Sequence, residues 1–379
     1  MSPPPTRPAR LPALLFPLAL LALLAGCRGE PPGPVERQAQ AGDAQAPPAW
    51  VGELDAAVEE IDAATPGDFG VYVARFGEQA GILDRGDDRR WYLSSTVKVP
   101  VAIAVLEQVD DGRIALDDQL ELQRSDFVDG AGDMLGQAPG TRFTIATLLE
   151  KSLRDSDSTA TDMLIRHLGE DHLDARLADW TDGGFGPLTT ILQVRYNAYG
   201  ALHPDVADLD NLQIVALRNA EAGEPRLRAL ARTLGVEREA LPAQSLQAVF
   251  EDYYASGRNA ATLSAFARLL QRLVAGELLS DGGTALVLGH MRAISTGGRR
   301  IAAGLPPGTD FAQKTGTQLG RACNVGVLDP ERGEDGATVV VACAERFEAL
   351  SQAEQAFQAL GRALGETVLA SAPAGAGAH

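Results

Sequence analysis

Thirty of the 33 basic residues in this chain are arginine, and the only lysines are Lys98, Lys151 and Lys314. Two of them sit in short motifs, Ser95-Thr96-Val97-Lys98 and Lys314-Thr315-Gly316-Thr317. In a chain that uses arginine so heavily, a lysine marks a position where arginine would not serve. A desolvated ammonium can lose its proton and act as a base, whereas a guanidinium cannot. A serine three residues before such a lysine is a candidate activated nucleophile. On its own S-x-x-K is a common pattern, so its company decides. Lys151 matches no motif and reads as a surface residue of a helix over Ile145–Leu153.

The elements that must position these residues follow from periodicity. Val51, Leu54, Val58 and Ile61 have helical spacing, and Phe69–Phe76 reads as a strand, with a second short strand over Gly81–Leu83. From Val97 a run of Val, Ala, Ile and Leu predicts a buried helix to about Asp110. Ser95 then lies at a helix N-terminus, where free N–H groups and the positive dipole end favour developing negative charge. Helical patterns dominate from Ile145 to about Leu279. Strand signals return at Phe311–Thr315, Ala322–Leu328 and Ala337–Ala342, and an amphipathic helix follows over Ser351–Leu369. The order predicts an α/β fold: an antiparallel sheet flanked by N- and C-terminal helices, built from 50–94 and 291–370, with an all-α domain over 95–290 inserted. A tail over 371–379 is expected to be disordered.

The formal net charge of −18 disfavours nucleic acid and anionic membrane surfaces as partners. Arg7 and Arg10 precede an apolar run, Leu11–Ala25, broken by Pro12 and Pro17, which reads as an export signal over 1–26. Leu24-Ala25-Gly26-Cys27 resembles a bacterial lipobox. That resemblance implies cleavage before Cys27, lipid attachment there, a flexible tether over 27–49 and a periplasmic location. Arg28, rather than Asp, favours the outer membrane. The lipid would be the only membrane contact. A hairpin centred on Gly333 would set Cys323 opposite Cys343, Val325 opposite Val341 and Val327 opposite Val339. The two cysteines are then either a disulfide or a pair of buried thiols. Five scattered histidines with no paired spacing give no metal site, and no cofactor is expected.

Ser95-Thr96-Val97-Lys98, Ser156-Asp157-Ser158 and Lys314-Thr315-Gly316-Thr317 occur in the order S-x-x-K, S-D-N, K-T-G. The chain resembles the class A β-lactamases and penicillin-binding proteins. Thr159–Ile165 looks like the family helix after S-D-N, and Val274–Leu279 like the T-G-E-L-L segment. The resemblance implies that Ser95 is acylated, that Lys98 takes its proton and that Ser156 relays a proton to the leaving nitrogen. Lys314, Thr315 and Thr317 would hold a substrate carboxylate, and Ser158 the substrate side chain and the active-site lysine. Gly316 would let substrate approach the strand. The N–H groups of Ser95 and Thr317 would form the oxyanion hole.

Two departures stand out. Ser158 replaces the Asn of S-D-N. The E-x-x-x-N of class A enzymes aligns with Gln193-Val194-Arg195-Tyr196-Asn197, so Gln193 stands where a carboxylate would drive deacylation, and hydrolysis of the acyl-enzyme is expected to be slow. Asp182 and Glu251 are other carboxylates that the sequence does not place. Residues 198–257 match nothing in the family, and read either as a surface helical hairpin or as a lid. The expectation is a monomeric serine hydrolase acting on a β-lactam or a related peptidoglycan-like amide. The alternatives are a D-alanyl-D-alanine peptidase or esterase, or a penicillin-binding sensor without turnover.

Overall fold

The computed structural model describes residues 46–242 and 244–371. The signal segment, Cys27, all but the last four residues of the tether, and the tail beyond Ser371 lie outside them. Among the described residues no helix is long and apolar enough to cross a membrane.

Helix α1 (Ala49–Ala64) precedes strands β1 (Asp68–Arg75) and β2 (Gly81–Arg85). Three more strands come late in the chain: β3 (Phe311–Gln318), β4 (Arg321–Leu328) and β5 (Thr338–Glu345). Together they form a five-stranded sheet, β2-β1-β5-β4-β3, with antiparallel pairing throughout. Both ends of the chain thus build one sheet. β4 and β5 are buried along their whole length, so their side chains feed cores on both faces. One core packs Trp50, Leu54 and Val58 of α1 and Phe357 and Leu360 of the C-terminal helix Leu350–Leu364 against Val71, Val73 and Val340. On the other face Val325, Val327, Val339 and Val341 meet the helical region.

The register sets Cys323 against Cys343, Val325 against Val341 and Val327 against Val339. Cys323 and Cys343 are joined as a disulfide. The alternative of two buried thiols is thereby set aside.

At the centre lies α2 (Lys98–Asp110), with Val99–Leu106 buried on every side. Over Val99–Leu106 the sequence shows no polar side because none is wet, and polar residues return only in the last turn, Glu107–Asp110. Each buried Val, Ile or Leu contributes roughly 1.5–3 kcal/mol. Pro100 is tolerated because the N–H groups of a first turn have no partner within the helix.

The unmatched segment is not a detached hairpin. Tyr199, Leu202, Ile214, Leu227, Leu230, Leu246, Phe250, Tyr253 and Tyr254 form a third core, which includes Tyr92. The Tyr92 and Tyr254 rings stand 4.5 Å apart. Tyr254 Oη donates to Leu319 O at 3.0 Å, just past the end of β3, and Arg321 pairs with Glu251. The segment therefore braces the strand that carries Lys314.

Candidate active site

Ser95 is half-buried in the tight turn Ser94–Val97, which runs directly into α2. Two serines of the site have left-handed backbone, Ser94 with φ 50° and Ser156 with φ 57°. Such conformations cost a non-glycine residue energy and persist where the surroundings impose them. β3 imposes the first. A Cβ on Gly316 would lie 2.5 Å from Leu93 O and 2.8 Å from Ser95 N, so only glycine lets the strand lie against the nucleophile turn. The expectation that Gly316 makes room for substrate is corrected: the room is taken by the backbone of Leu93–Ser95.

Lys98 is fully buried. Its Nζ donates to Ser156 O and lies 3.2 Å from Ser156 Oγ and 3.5 Å from Ser158 Oγ. Burial, offset by the charges of Asp157 and Asp162, pulls its pKa down to about 7. Lys314, also fully buried, places Nζ 2.9 Å from the same Ser156 Oγ and donates to Thr315 O at 3.1 Å. Its pKa is held well below the ordinary lysine range by burial, then by Lys98 and Arg300. Two amines thus converge on one hydroxyl, which can accept a hydrogen bond from one while donating to the other if that one is neutral.

Asp157 is the N-cap of the helix Ser158–Leu168, accepting from Ala160 N at 2.9 Å, and its second oxygen accepts from Met134 N at 2.9 Å. It therefore clamps the loop bearing Gly130 and Ala131 over Ser158, whose own N–H donates to Ala131 O at 3.1 Å. Thr315 Oγ1 lies 3.2 Å from Thr296 Oγ1, and Arg300 holds the Thr317 hydroxyl from behind while donating to Gly316 O at 2.8 Å. Sequence reasoning missed Arg300 and Thr296. Their only signal is their place shortly before a strand that already carries a motif.

Ser95, Ser156, Ser158, Thr315 and Thr317 line one cavity of about 290 Å³. Lys98 and Lys314 bind Ser156 from beneath it. No Asp, Glu or His is among its lining residues.

Gln193 is not among them either. The helix Ile191–Gly200 presents Ile191, Val194 and Arg195 to the cavity. Gln193 is exposed and its Nε2 donates to Asn197 Oδ1 at 2.9 Å. Residues 193 and 197 are one turn apart and share the outer face, while 191, 194 and 195 share the inner one. The assignment of Gln193 and Asn197 to the deacylation position is therefore corrected: the residues of this helix that face the cavity are Ile191, Val194 and Arg195, none of them a carboxylate. Asp162 fixes this phase by accepting from Ile191 N at 2.7 Å and Leu192 N at 2.8 Å. Burial raises its pKa to about 7 despite those two donors. Asp182 pairs with Arg268 and Glu251 with Arg321, and neither lines the cavity.

The model of the "Beta-lactamase enzyme family" matches residues 53–368. A beta-lactamase of Mycobacterium tuberculosis is 28% identical over 318 residues, which cover 83% of each chain. Among solved structures, a PBP-A mutant described as an acyl-enzyme complex with penicillin G superposes with a TM-score of 0.59 at 20% identity, covering 83% of this chain and 96% of that one. A beta-lactamase from Xanthomonas campestris gives 0.61 at 20% identity, covering 84% and 98%. These two likenesses concern the fold.

Proposed function

The chain belongs to the beta-lactamase enzyme family, and from that premise we propose that it is a serine hydrolase that takes the acyl group of a β-lactam or related amide onto Ser95 and releases it slowly. One observation supports this above the others. Two depressed-pKa lysines meet on Ser156 beside a serine nucleophile, in a cavity whose lining holds no carboxylate.

The steps follow from the residues. Ser95 Oγ attacks the amide carbonyl carbon as its proton passes to the neutral Lys98 amine, one turn along. The oxyanion forms against the backbone N–H groups that the family resemblance assigns to Ser95 and Thr317, each donor typically worth about 3–4 kcal/mol. The C–N bond breaks as Ser156 delivers a proton to the leaving nitrogen and recovers one from the lysines behind it. Thr315 and Thr317, which line the cavity, hold the substrate carboxylate, with the Lys314 amine buried behind them. Water must then attack the ester without a carboxylate base, and Lys98 is the remaining proton acceptor.

The apolar Ile191 in the facing position favours a second reading, a penicillin-binding protein or peptidase that stays acylated by β-lactams. Labelling with a fluorescent penicillin, followed by removal of free reagent, separates the two. Label lost within minutes supports the hydrolase, and label retained for hours supports the acylated receptor. An Ser95→Ala chain that still labels would overturn both. We also place the protein in the periplasm on a lipid at Cys27, on the strength of the lipobox. A Cys27→Ser chain that still partitions with membranes would contradict this.

A further inference from the structure

Arg195 is 9% exposed and lies on the cavity wall. Its Nε donates to Asp129 Oδ1 at 2.7 Å, while Nη1 is buried with no hydrogen-bond partner. Arginine–carboxylate pairs are frequently bidentate, with two parallel N–H bonds. Here the contact is made through Nε, and Nη1 remains unpartnered in a residue that faces the nucleophile's cavity. Asp129 adjoins Gly130 and Ala131, which line the same cavity, and a Cβ on Gly130 would lie 2.2 Å from Ser158 Oγ. The guanidinium therefore belongs to the Ser158 side, on a different element from β3 and Lys314. In a chain of net charge −18, a cavity lined by a cation and no carboxylate is set to draw anions.

We propose that Arg195 is a specificity residue that receives a carboxylate carried on the acyl side chain of the substrate, at a subsite separate from the Lys314 strand. This rests on the acyl-enzyme reading above and adds the substrate class: acyl donors whose retained half is itself anionic. Asp129 orients the guanidinium and tempers its charge, and the acyl carboxylate meets Arg195 where it lines the cavity. Nη1 is shielded from solvent, so its engagement takes a shift of the side chain as the acyl group enters.

Two penicillins that differ by one side-chain carboxylate, carbenicillin and benzylpenicillin, provide the probe. The readout is the ratio of their second-order rate constants for acylating Ser95, measured by intact mass. Going from the natural chain to Arg195→Gln, the carbenicillin to benzylpenicillin ratio is expected to fall roughly tenfold, the scale of one charge-assisted hydrogen bond. Asp129→Asn is expected to raise it. The double variant Asp129→Asn/Arg195→Gln leaves no lone buried charge and serves if the single variant unfolds, with the same fall expected. In the natural chain, added salt is expected to slow carbenicillin more than benzylpenicillin. A ratio unchanged by the substitutions, or equal salt dependence, overturns the Arg195 assignment and leaves the acyl-enzyme reading intact. A natural chain that neither penicillin acylates overturns both.

Discussion

Lys98 Nζ lies 3.2 Å from Ser156 Oγ, and the fully buried amine has its pKa drawn down to about 7. The base form is the neutral amine, so acylation is expected to rise with pH through about 7 and then level off. One unit below that midpoint the rate should be about a tenth of the plateau. Asp162 titrates in the same range, so the apparent midpoint belongs to the coupled set. Stopped-flow acylation between pH 5 and 9 measures it, and a flat profile would contradict the role of Lys98.

The same burial has a consequence for folding. Between about pH 7 and the unfolded lysine value of 10.5 the folded chain binds fewer protons at Lys98 than the unfolded one, so this group makes stability rise with pH in that window. For Asp162 the folded value lies above the unfolded 3.8, so its contribution falls as pH rises from about 4 to about 7. Urea midpoints of Lys98→Met and Asp162→Asn against pH should each lose the corresponding slope.

Ile191→Glu puts a carboxylate where the helix faces the cavity, and is expected to speed loss of a penicillin label by on the order of a hundredfold or more, the usual contribution of a general base. Gln193→Glu should leave the label lifetime unchanged, since that side chain points outward to Asn197. The opposite pattern would restore the register read from sequence alone.

That register shows what the sequence could and could not disclose. The pairing of Cys323 with Cys343 was legible because strand alternation and a single turn leave one register that matches every apolar partner. The site of Ser95 was legible because a buried helix begins just after it. The loop before Ile191 was not. Gln193 resembles Glu in shape, but helix phase, seen in the apolar Ile191, Val194 and Ala198, decides which side turns inward. Arg195, Arg300 and Asp162 escaped notice because their value lies in contacts with distant segments, and no local spacing marks those.

Gly316→Ala would drive a Cβ to within 2.5 Å of Leu93 O and displace the nucleophile turn. Shifts of this size cost about a hundredfold in rate, and overpacking typically adds about 1–3 kcal/mol of destabilisation. Acylation rate and thermal melting measured together check both.

The disulfide closes a separation of 20 residues between the central strand β5 and its neighbour β4. Reduction is expected to lower unfolding stability by about 3 kcal/mol while leaving Ser95 able to acylate at room temperature. Chemical denaturation with and without a phosphine reductant tests the first half, and penicillin labelling under reductant the second.

The most direct measurement is time-resolved intact mass of the protein with benzylpenicillin, followed by peptide mapping. A single adduct of one penicillin is expected on the peptide carrying Ser95, absent in Ser95→Ala, and forming faster than it is lost. An adduct mapped elsewhere, or β-lactam hydrolysis that survives Ser95→Ala, would contradict it.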